Sequence, residues 1–371
     1  MKRTLTLLLG LSLVMTACGS SPPNPPTVTM QPAIEASTPT PVLACQGDGC
    51  APGAAPAQDT ATPPPLRFVV PSPGAEPVSG WRPPLYPLPW AIAPHDHFYF
   101  ARPIAANEVN WPLADYRYGG VFFRPNVVHT GVDIPAEEGT PVLAAGPGTV
   151  IWAGWGLFTE SPSNSEDPYG RAVAIRHDFG YQGQPLYTIY AHMLRVKVTL
   201  GQWVDTGDQL GLVGHTGFTT GPHLHFEVRM GYNSFFATYN PELWIAPPQG
   251  WGVLAARIMD KKGELLGRAD VYIQSLDSGQ KYAVKTYGGG ATNSDPYYQE
   301  NMVISDLPAG DYEVLIDYAH FPNKQVVHIH PGQITYFTFQ GQGGFETALP
   351  PTPGIAVLTP TATPKGRESA W

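Results

Sequence analysis

A chain of 371 residues is long enough for two ordinary domains, and its 40 glycines and 42 prolines indicate many turns or unstructured linker. The formal net charge of −9 gives no electrostatic basis for binding nucleic acid. Charged residues make up only 14% of the chain and aromatic residues 11%, a balance that favours a β-rich exported protein over a helical cytosolic one. After residue 17, no stretch is long and apolar enough to span a bilayer.

Residues 1–17 have the composition of a targeting segment. Lys2 and Arg3 supply a positive start, TLTLLLGLSLVM supplies an apolar core, and two small residues precede Cys18. This arrangement resembles a bacterial lipoprotein signal, in which cleavage before the cysteine accompanies its lipidation. We therefore expect removal of the first 17 residues and anchoring of the chain to a membrane of the cell envelope through lipidated Cys18. An ordinary secretory signal with an incidental cysteine is the alternative.

Residues 18–85 are rich in Pro, Thr, Ser and Ala, as in SSPPNPPT and TATPPPL, and predict a disordered tether. Within it, CQGDGC carries Cys45 and Cys50 at a spacing that allows a small structural disulfide in an oxidising compartment. A metal-binding pair is the alternative, although no second pair is present to complete it. Residues 86–116 become dense in aromatic side chains and predict an ordered leading segment that packs on the domain that follows.

Residues 117–246 contain short apolar runs separated by glycine. GTPVLAAGPGTVIWAGW, RAVAIRHDF, LYTIYAHML and HLHFEVRM each predict a strand with turn residues at its ends. No helical period persists through this region, so an all-β fold with an antiparallel domain is expected here. The Pro-, Gly- and Ser-rich stretch 156–170 predicts a long loop, of the kind that often shapes access to a cleft.

The stretch GPHLHFEV places His223 and His225 on one face of a predicted strand, because side chains alternate along a strand. About ninety residues upstream, HTGVDI contains His129 and Asp133. Together His129, Asp133 and His225 offer the three protein ligands that a catalytic zinc uses, with a fourth position left for water. Manganese or cobalt could also occupy such a donor set.

Two further histidines have the chemistry of proton transfer. His223 lies one strand step from His225 and could reach a metal-bound water without binding the metal, which makes it the expected general base. His192, in YAHM, is expected to face the cleft from a neighbouring strand, where it could hold a developing oxyanion or share proton transfer. Glu227 lies on the same face as these groups and is expected either to support a ligand from behind or to be exposed to solvent.

The motifs HTGVDI, YAHM and VGHTGFTTGPHLHFEV are similar to those of the lysostaphin-type, LytM-like zinc endopeptidases of bacterial cell walls, and the likeness spans nearly all of 117–229. The resemblance implies a compact antiparallel β domain whose groove is floored by the metal, and hydrolysis of peptide crosslinks in peptidoglycan. It assigns the metal ligands to His129, Asp133 and His225 and the two non-ligand histidines to His192 and His223. His215 and the length of the loop 156–170 depart from the usual pattern.

The remaining histidines are expected to have ordinary structural roles. We expect a local hydrogen bond for His177, structural positions for His95 and His97, and a solvated strand for His328 and His330.

Residues 251–340 predict a second, smaller β domain. In DYEVLIDY, apolar and acidic residues alternate as in a half-buried strand. VISDLPAGDYEVLI and HIHPGQITYFTF resemble the prealbumin-like β-sandwich found as a carboxypeptidase regulatory domain. The polar residues 341–371 predict a disordered tail.

Two function classes are compatible with this organisation. The first is a lipid-tethered zinc endopeptidase that cuts peptidoglycan crosslinks during wall remodelling. The second is a non-catalytic wall-binding protein or hydrolase activator with an occluded or inactive domain, and the metal content of the natively purified protein would separate the two. The sequence does not indicate an oligomeric state.

Overall fold

The computed structural model describes residues 84–104, 114–121 and 128–346. Several predicted features lie outside the described residues: the signal segment, the expected lipidation site Cys18, nearly all of the linker with its two other cysteines, and the tail beyond residue 346. Within them, no helix has the length and apolarity required to cross a bilayer. The described chain is built from strands and four short 3₁₀ helices, which confirms the all-β prediction.

The strands are, in chain order, β1 (Val132–Pro135), β2 (Pro141–Leu143), β3 (Gly148–Gly154), β4 (Ala172–Tyr181), β5 (Gln184–Ala191), β6 (Met193–Val196), β7 (Trp203–Val204), β8 (Gln209–Val213), β9 (His223–Met230), β10 (Thr238–Tyr239), β11 (Trp251–Met259), β12 (Asp270–Ser275), β13 (Lys281–Lys285), β14 (Thr292–Asn293), β15 (Met302–Pro308), β16 (Gly310–Tyr318), β17 (Phe321–Ile329), β18 (Ile334–Gln340) and β19 (Phe345–Glu346). The 3₁₀ helices are Ala114–Tyr116, Phe235–Ala237, Pro241–Leu243 and Gly341–Gly343.

The largest sheet has the order β14-β10-β9-β5-β4-β3-β7, with β1 also paired to β9. Its pairings are antiparallel, as predicted, except that β10 and β14 run parallel. Asp133 of β1 and Ala191 of β5 both lie opposite His225 of β9. Strands β1, β9 and β5 therefore lie side by side at His225. His192 directly follows Ala191, the residue of β5 that lies opposite His225. A separate three-stranded sheet has the order β2-β8-β6.

Strand β9 has an apolar face and a polar face, as its alternating sequence predicts. Leu224, Phe226 and Val228 are fully buried in the main hydrophobic core. Burial of each side chain stabilises the strand by about 2 kcal/mol, which fixes the orientation of the alternate residues. The leading segment contributes Phe98 and Phe100 to the same core and is therefore part of the fold.

The C-terminal half contains two four-stranded sheets, with orders β15-β11-β18-β19 and β13-β12-β16-β17. Both sheets contribute to one hydrophobic cluster. On β16, Tyr312, Val314 and Ile316 are buried between more exposed neighbours, as the alternation predicts. The likeness to a carboxypeptidase regulatory domain remains a prediction. The first residues of the predicted tail are ordered, because Phe345–Glu346 pair with β18.

Packing continues across the predicted boundary near residue 250. Val253, Ala255 and Val303 of the C-terminal sheets belong to the same core cluster as β9. His97 of the leading segment is fully buried and lies 2.9 Å from the Asp295 carboxylate. The sheet containing β9 thus depends for its burial on residues from both sides of the boundary.

Candidate metal centre

Three side chains converge beneath a cleft at one end of β9. His129 precedes β1, Asp133 lies on β1, and His225 lies on β9. Nε2 of His129 and Nδ1 of His225 each lie 2.9 Å from Oδ1 of Asp133 and 2.9 Å from one another. These three residues form a group that could hold a metal ion. They are the three residues that the sequence predicts as metal ligands.

The opposite nitrogens of the two imidazoles are held by oxygen acceptors. Nδ1 of His129 lies 3.0 Å from the main-chain carbonyl oxygen of Arg117, and Nε2 of His225 lies 3.0 Å from Oε1 of Glu227. Since neither acceptor carries a proton to donate, each imidazole must place its hydrogen there. The nitrogen of each ring that faces Asp133 consequently presents a lone pair.

Convergence of two nitrogen lone pairs and a carboxylate at 2.9 Å is unfavourable in a buried site unless positive charge lies between them. The pKa of His225 reflects this demand: burial lowers it, but the hydrogen bonds and charges of Asp133 and Glu227 outweigh burial and raise it to about 9. For Asp133, burial raises the pKa, but the neighbouring histidines hold it well below its usual range. A divalent cation satisfies all three donors, so the donor set fits a metal ion.

A glycine allows the two ligand-bearing strands to approach. A Cβ at Gly131, between His129 and Asp133, would lie 2.9 Å from the His225 ring and would overlap the carbonyl oxygen of Phe226. The glycine of HTGVDI is therefore required by the close packing of β1 on β9.

His192 and His223 lie beside the three converging residues. The ring centroid of His192 is 4.8 Å from that of His223 and 5.6 Å from that of His225. Nε2 of His223 is buried 3.5 Å from Oδ1 of Asp133 and makes no hydrogen bond with another described residue. His192 adopts a left-handed backbone conformation with a φ of 61°, a strained arrangement for a non-glycine residue that costs about 1 kcal/mol or more.

Main-chain carbonyls fix the tautomer of both residues. Nδ1 of His192 donates to the carbonyl oxygen of Thr216 at 2.8 Å, and Nδ1 of His223 donates to that of Gly221 at 2.8 Å. In each ring Nε2 is therefore the basic nitrogen. Burial lowers the pKa of His192 to about 3, with repulsion from the neighbouring histidines adding to the effect, and burial also lowers that of His223. Both imidazoles are therefore neutral at neutral pH, and each leaves its Nε2 unprotonated.

Glu227 is fully buried behind His225 and is not exposed to solvent, so the second of its two expected environments is wrong. Its Oε1 accepts hydrogen bonds from Thr130 at 2.5 Å and from Tyr169 at 2.6 Å, in addition to that from His225. Nε of Arg229 donates to Oε2 at 2.7 Å. These contacts and the positive charge of Arg229 hold the pKa of Glu227 at about 2, although burial acts in the opposite direction. Glu227 therefore remains an anion that orients His225.

The cleft above these groups has a volume of about 250 Å³ and walls that are mainly aromatic. Phe158, Phe218 and Phe235 line it, and the rings of Phe158 and Phe235 meet edge to face at 5.4 Å. The predicted long loop 156–170 supplies Phe158 and Tyr169. It is held in shape by the buried carboxylate of Asp167, which accepts hydrogen bonds from the main chain of both Thr159 and Tyr169.

The other histidines occupy the structural positions that were expected of them. His177 is buried between the carbonyl oxygen of Pro147 and the hydroxyl of Thr188. His95 stacks on Tyr297. His328 and His330 are exposed neighbours on and just after β17. His215 is also exposed and pairs with Glu138 at 2.6 Å.

Several residues around the site were not found from the sequence. Arg229 could have been identified, because it continues the alternation of His223, His225 and Glu227 along β9. Tyr169 and the three cleft phenylalanines come from loops whose path has no sequence period. The carbonyl groups of Arg117 and Thr216 are main-chain groups, which a motif of side chains does not reveal.

Part of the chain is similar to known proteins. Residues 127–236 match the model of Peptidase family M23. The chain is 37% identical over 101 residues to the peptidoglycan DD-endopeptidase ShyA of Vibrio cholerae, an alignment that covers 27% of this chain and 20% of the relative. It is 36% identical over 119 residues to the lipoprotein NlpD/LppB homolog of Pseudomonas aeruginosa, covering 32% of this chain and 35% of the relative.

A solved structure is also similar. The catalytic domain of the antimicrobial peptidase lysostaphin from Staphylococcus simulans is 29% identical, with a TM-score of 0.31, and the alignment covers 36% of this chain and 90% of that domain. The chain spans between about a fifth and a third of the length of the two curated relatives named above. The family match, at residues 127–236, includes the candidate metal centre.

Proposed function

We propose that this protein is a zinc-dependent endopeptidase that hydrolyses peptide crosslinks of peptidoglycan in cell-wall remodelling. The observation that carries the proposal is the convergence of His129, Asp133 and His225, with His192 and His223 beside them, inside the segment that matches the peptidase family. The similarity to a relative named a peptidoglycan DD-endopeptidase, over 101 residues, supports the choice of substrate.

We assign the metal ligands to His129, Asp133 and His225. Two neutral imidazoles and one carboxylate suit zinc, and three protein ligands leave a position for water or substrate. Bound there, zinc would lower the pKa of water toward neutrality and polarise the scissile carbonyl group.

His223 is the proposed general base. Its Nε2 is unprotonated, because Nδ1 donates to Gly221, and it makes no competing hydrogen bond with a described residue. When it takes a proton from the attacking water, the imidazolium lies 3.5 Å from the Asp133 carboxylate, which stabilises the new charge. The same proton can then be delivered to the leaving amine.

His192 is proposed to assist proton transfer beside His223. Its Nδ1 is held by Thr216, so the ring can turn little and Nε2 stays directed toward the site. In the neutral ring Nε2 carries no proton, so His192 would accept a hydrogen bond from the attacking water and help to orient it toward His223.

The proposed location is outside the cytoplasm, on a membrane of the cell envelope. The predicted signal and Cys18 support it, and so does the likeness to a relative named as a lipoprotein. Peptidoglycan is an envelope polymer, so a tether that holds the folded part near a membrane would keep the enzyme within reach of its substrate.

The proposal is tested with the full chain, purified in detergent without chelators, beside His225→Ala and the exposed control His215→Ala. We expect about one zinc per chain and release of new free amino groups from purified peptidoglycan by the parent and by His215→Ala only. Mass spectrometry of the fragments names the bond. Zinc bound without hydrolysis of any crosslink would contradict the enzyme assignment, and a protein with neither zinc nor hydrolysis would favour the non-catalytic alternative.

A further inference from the structure

His129 is attached to residues 117–120 by three hydrogen bonds. Its Nδ1 donates to the carbonyl oxygen of Arg117 at 3.0 Å, and its main-chain N–H donates to that of Gly120 at 2.7 Å. The N–H of Gly119 donates to the carbonyl oxygen of His129 at 2.8 Å. Both the backbone and the ring of His129 are consequently positioned by this short segment, which we call the His129 support (residues 117–120).

The side chain of Arg117 connects the His129 support to the C-terminal sheets. Its guanidinium donates to Oε2 of Glu242 at 2.5 Å, and both side chains are buried. The same oxygen accepts hydrogen bonds from the main-chain N–H of Ser305 at 2.8 Å and from its hydroxyl at 3.0 Å. Ser305 lies on β15, so one carboxylate joins the His129 support to the second half of the chain.

Tyr118 provides a second connection in the same direction. Its hydroxyl donates to the carbonyl oxygen of Thr238 at 2.7 Å and accepts from the N–H of Asn293, on β14, at 2.8 Å. Its ring meets Tyr287 edge to face at 5.0 Å. Gly119 has a φ of +84°, and a Cβ there would overlap the side chain of Tyr287, so only glycine is accommodated at this position.

We propose that Arg117 and Glu242 are positioning residues for His129, and that the C-terminal sheets tune the metal site through the path Ser305–Glu242–Arg117–His129. The inference rests on the proposed role of His129 as a metal ligand. Partners that hold the second nitrogen of a ligand histidine fix its tautomer and ring orientation, and their loss weakens metal binding. Displacement of the Arg117 carbonyl would remove such a partner from His129.

The chain offers a matched control on the neighbouring residue of β15. Asp306 accepts a hydrogen bond from Arg102 of the leading segment, and both side chains are buried. This pair therefore connects the leading segment to β15, as Arg117, Glu242 and Ser305 connect the His129 support to the same strand. It differs from Arg117–Glu242 in where it ends: the Asp306 carboxylate binds Arg102, whereas the Glu242 carboxylate binds Arg117, whose carbonyl oxygen holds His129. Comparison of the two pairs thus separates metal positioning from general stabilisation of the fold.

The experiment compares Glu242→Gln and Ser305→Ala with Asp306→Asn in the full-length protein. The dissociation constant for zinc is measured by competition with a chromophoric chelator, and the absorption spectrum of the Co²⁺-loaded protein reports ligand geometry. The thermal midpoint of each metal-free protein is measured alongside. We expect Glu242→Gln to weaken zinc binding about tenfold and Ser305→Ala about threefold. Asp306→Asn should leave the zinc affinity and the Co²⁺ absorption spectrum unchanged, even if its thermal midpoint falls as far as that of Glu242→Gln.

Ser305→Ala removes one hydrogen bond to Glu242 but keeps the Arg117–Glu242 ion pair. This variant therefore tests the inference if Glu242→Gln does not fold. Equal zinc affinity in Ser305→Ala, Asp306→Asn and the parent would overturn the inference, as would losses of affinity that simply follow the thermal midpoint. A parent protein that binds zinc but cleaves no crosslink would refute the proposed function alone. A parent that binds no zinc would refute both.

Discussion

Nε2 of His225 donates to Oε1 of Glu227 at 3.0 Å, although both residues lie on the same strand and two positions apart. The carboxylate is kept anionic by Arg229 and is fully buried. We expect Glu227→Gln to weaken metal binding about 10- to 100-fold, because the amide no longer provides a full negative charge behind the ligand. The zinc dissociation constant of the folded variant, measured by competition with a chromophoric chelator, checks this prediction. Tyr169→Phe, which removes another donor to Oε1 and leaves the His225 bond in place, should change affinity far less; unchanged affinity in Glu227→Gln would contradict the prediction.

Removal of the His223 ring should separate hydrolysis from metal binding. We expect His223→Ala to lower kcat by about 10²- to 10⁴-fold, the range typical of a lost general base. The zinc content should remain near that of the parent, since His223 is not one of the three converging donors. Turnover of a crosslinked peptide and metal analysis of the same sample give both quantities, with exposed His215→Ala as the control. Retained turnover would remove His223 as the base.

The aromatic walls of the cleft should contribute to substrate binding. Phe158 and Phe218 are about half exposed in the absence of substrate, so a bound peptide would cover apolar surface on both. We expect Phe158→Ala and Phe218→Ala each to raise KM about three- to tenfold with little change in kcat, because they remove contacts made equally in the ground and transition states. Phe321→Ala, an exposed phenylalanine on β17, is the matched control. A fall in kcat at constant KM would show a different role.

The buried His177 should make the protein sensitive to acid. Burial lowers the pKa of His177 to about 4, below the ordinary value of 6.5, although the hydrogen bond to Pro147 opposes this. Below pH 6.5 the unfolded chain binds this proton and the folded chain does not, so stability falls as the pH drops from 6.5 toward 4. The loss is on the order of 3 kcal/mol. Urea unfolding across this range, with chelator present, should show a shallower pH slope for His177→Gln than for the parent and for His328→Gln.

Glu300 should act in the opposite direction at higher pH. Burial, with repulsion from Asp295, raises the pKa of Glu300 to about 8, and hydrogen bonds from Tyr287 and the Asp295 main chain offset this only in part. Between pH 4.5 and 8 the folded chain holds a proton that the unfolded chain has released, so stability falls as the pH rises through this range. Glu300→Gln imitates the protonated acid and should be less destabilised than the parent between pH 6 and 9 in the same urea experiment. An unchanged slope would show that Glu300 is ionised in the folded state.

The part of the site carried by β9 could be predicted because its sequence alternates strictly. His225 lines the cleft, His223 lies on the same face of the strand, and Phe226 faces the core, as the period of two requires. The spacing of His129 and Asp133 indicates a metal site because it resembles that of the lysostaphin-type zinc endopeptidases. Their meeting with His225 depends on the register of β1 on β9, in which Asp133 lies opposite His225, and on the close approach that Gly131 permits. Neither is a local property of the sequence.

The contacts that hold the metal-site residues in place could not be predicted for a related reason. The bond between Arg117 and Glu242 joins residues 125 positions apart, and that between Glu242 and Ser305 crosses a predicted domain boundary. Their burial results from packing between elements, whereas composition and period describe single elements. The same limit applies to the loop 156–170, whose length was recognised although its attachment through Asp167 was not.

The parallel pairing of β10 with β14 gives the C-terminal half a protective role. Without β14, the sheet that carries His225 would end on β10, a strand of two residues with unpaired N–H and C=O groups. Loss of Val253 and Val303 would also uncover apolar side chains of the main core. Open edges beside exposed apolar surface favour pairing between chains and aggregation. A chain truncated near residue 246 would therefore need another element to cover this edge.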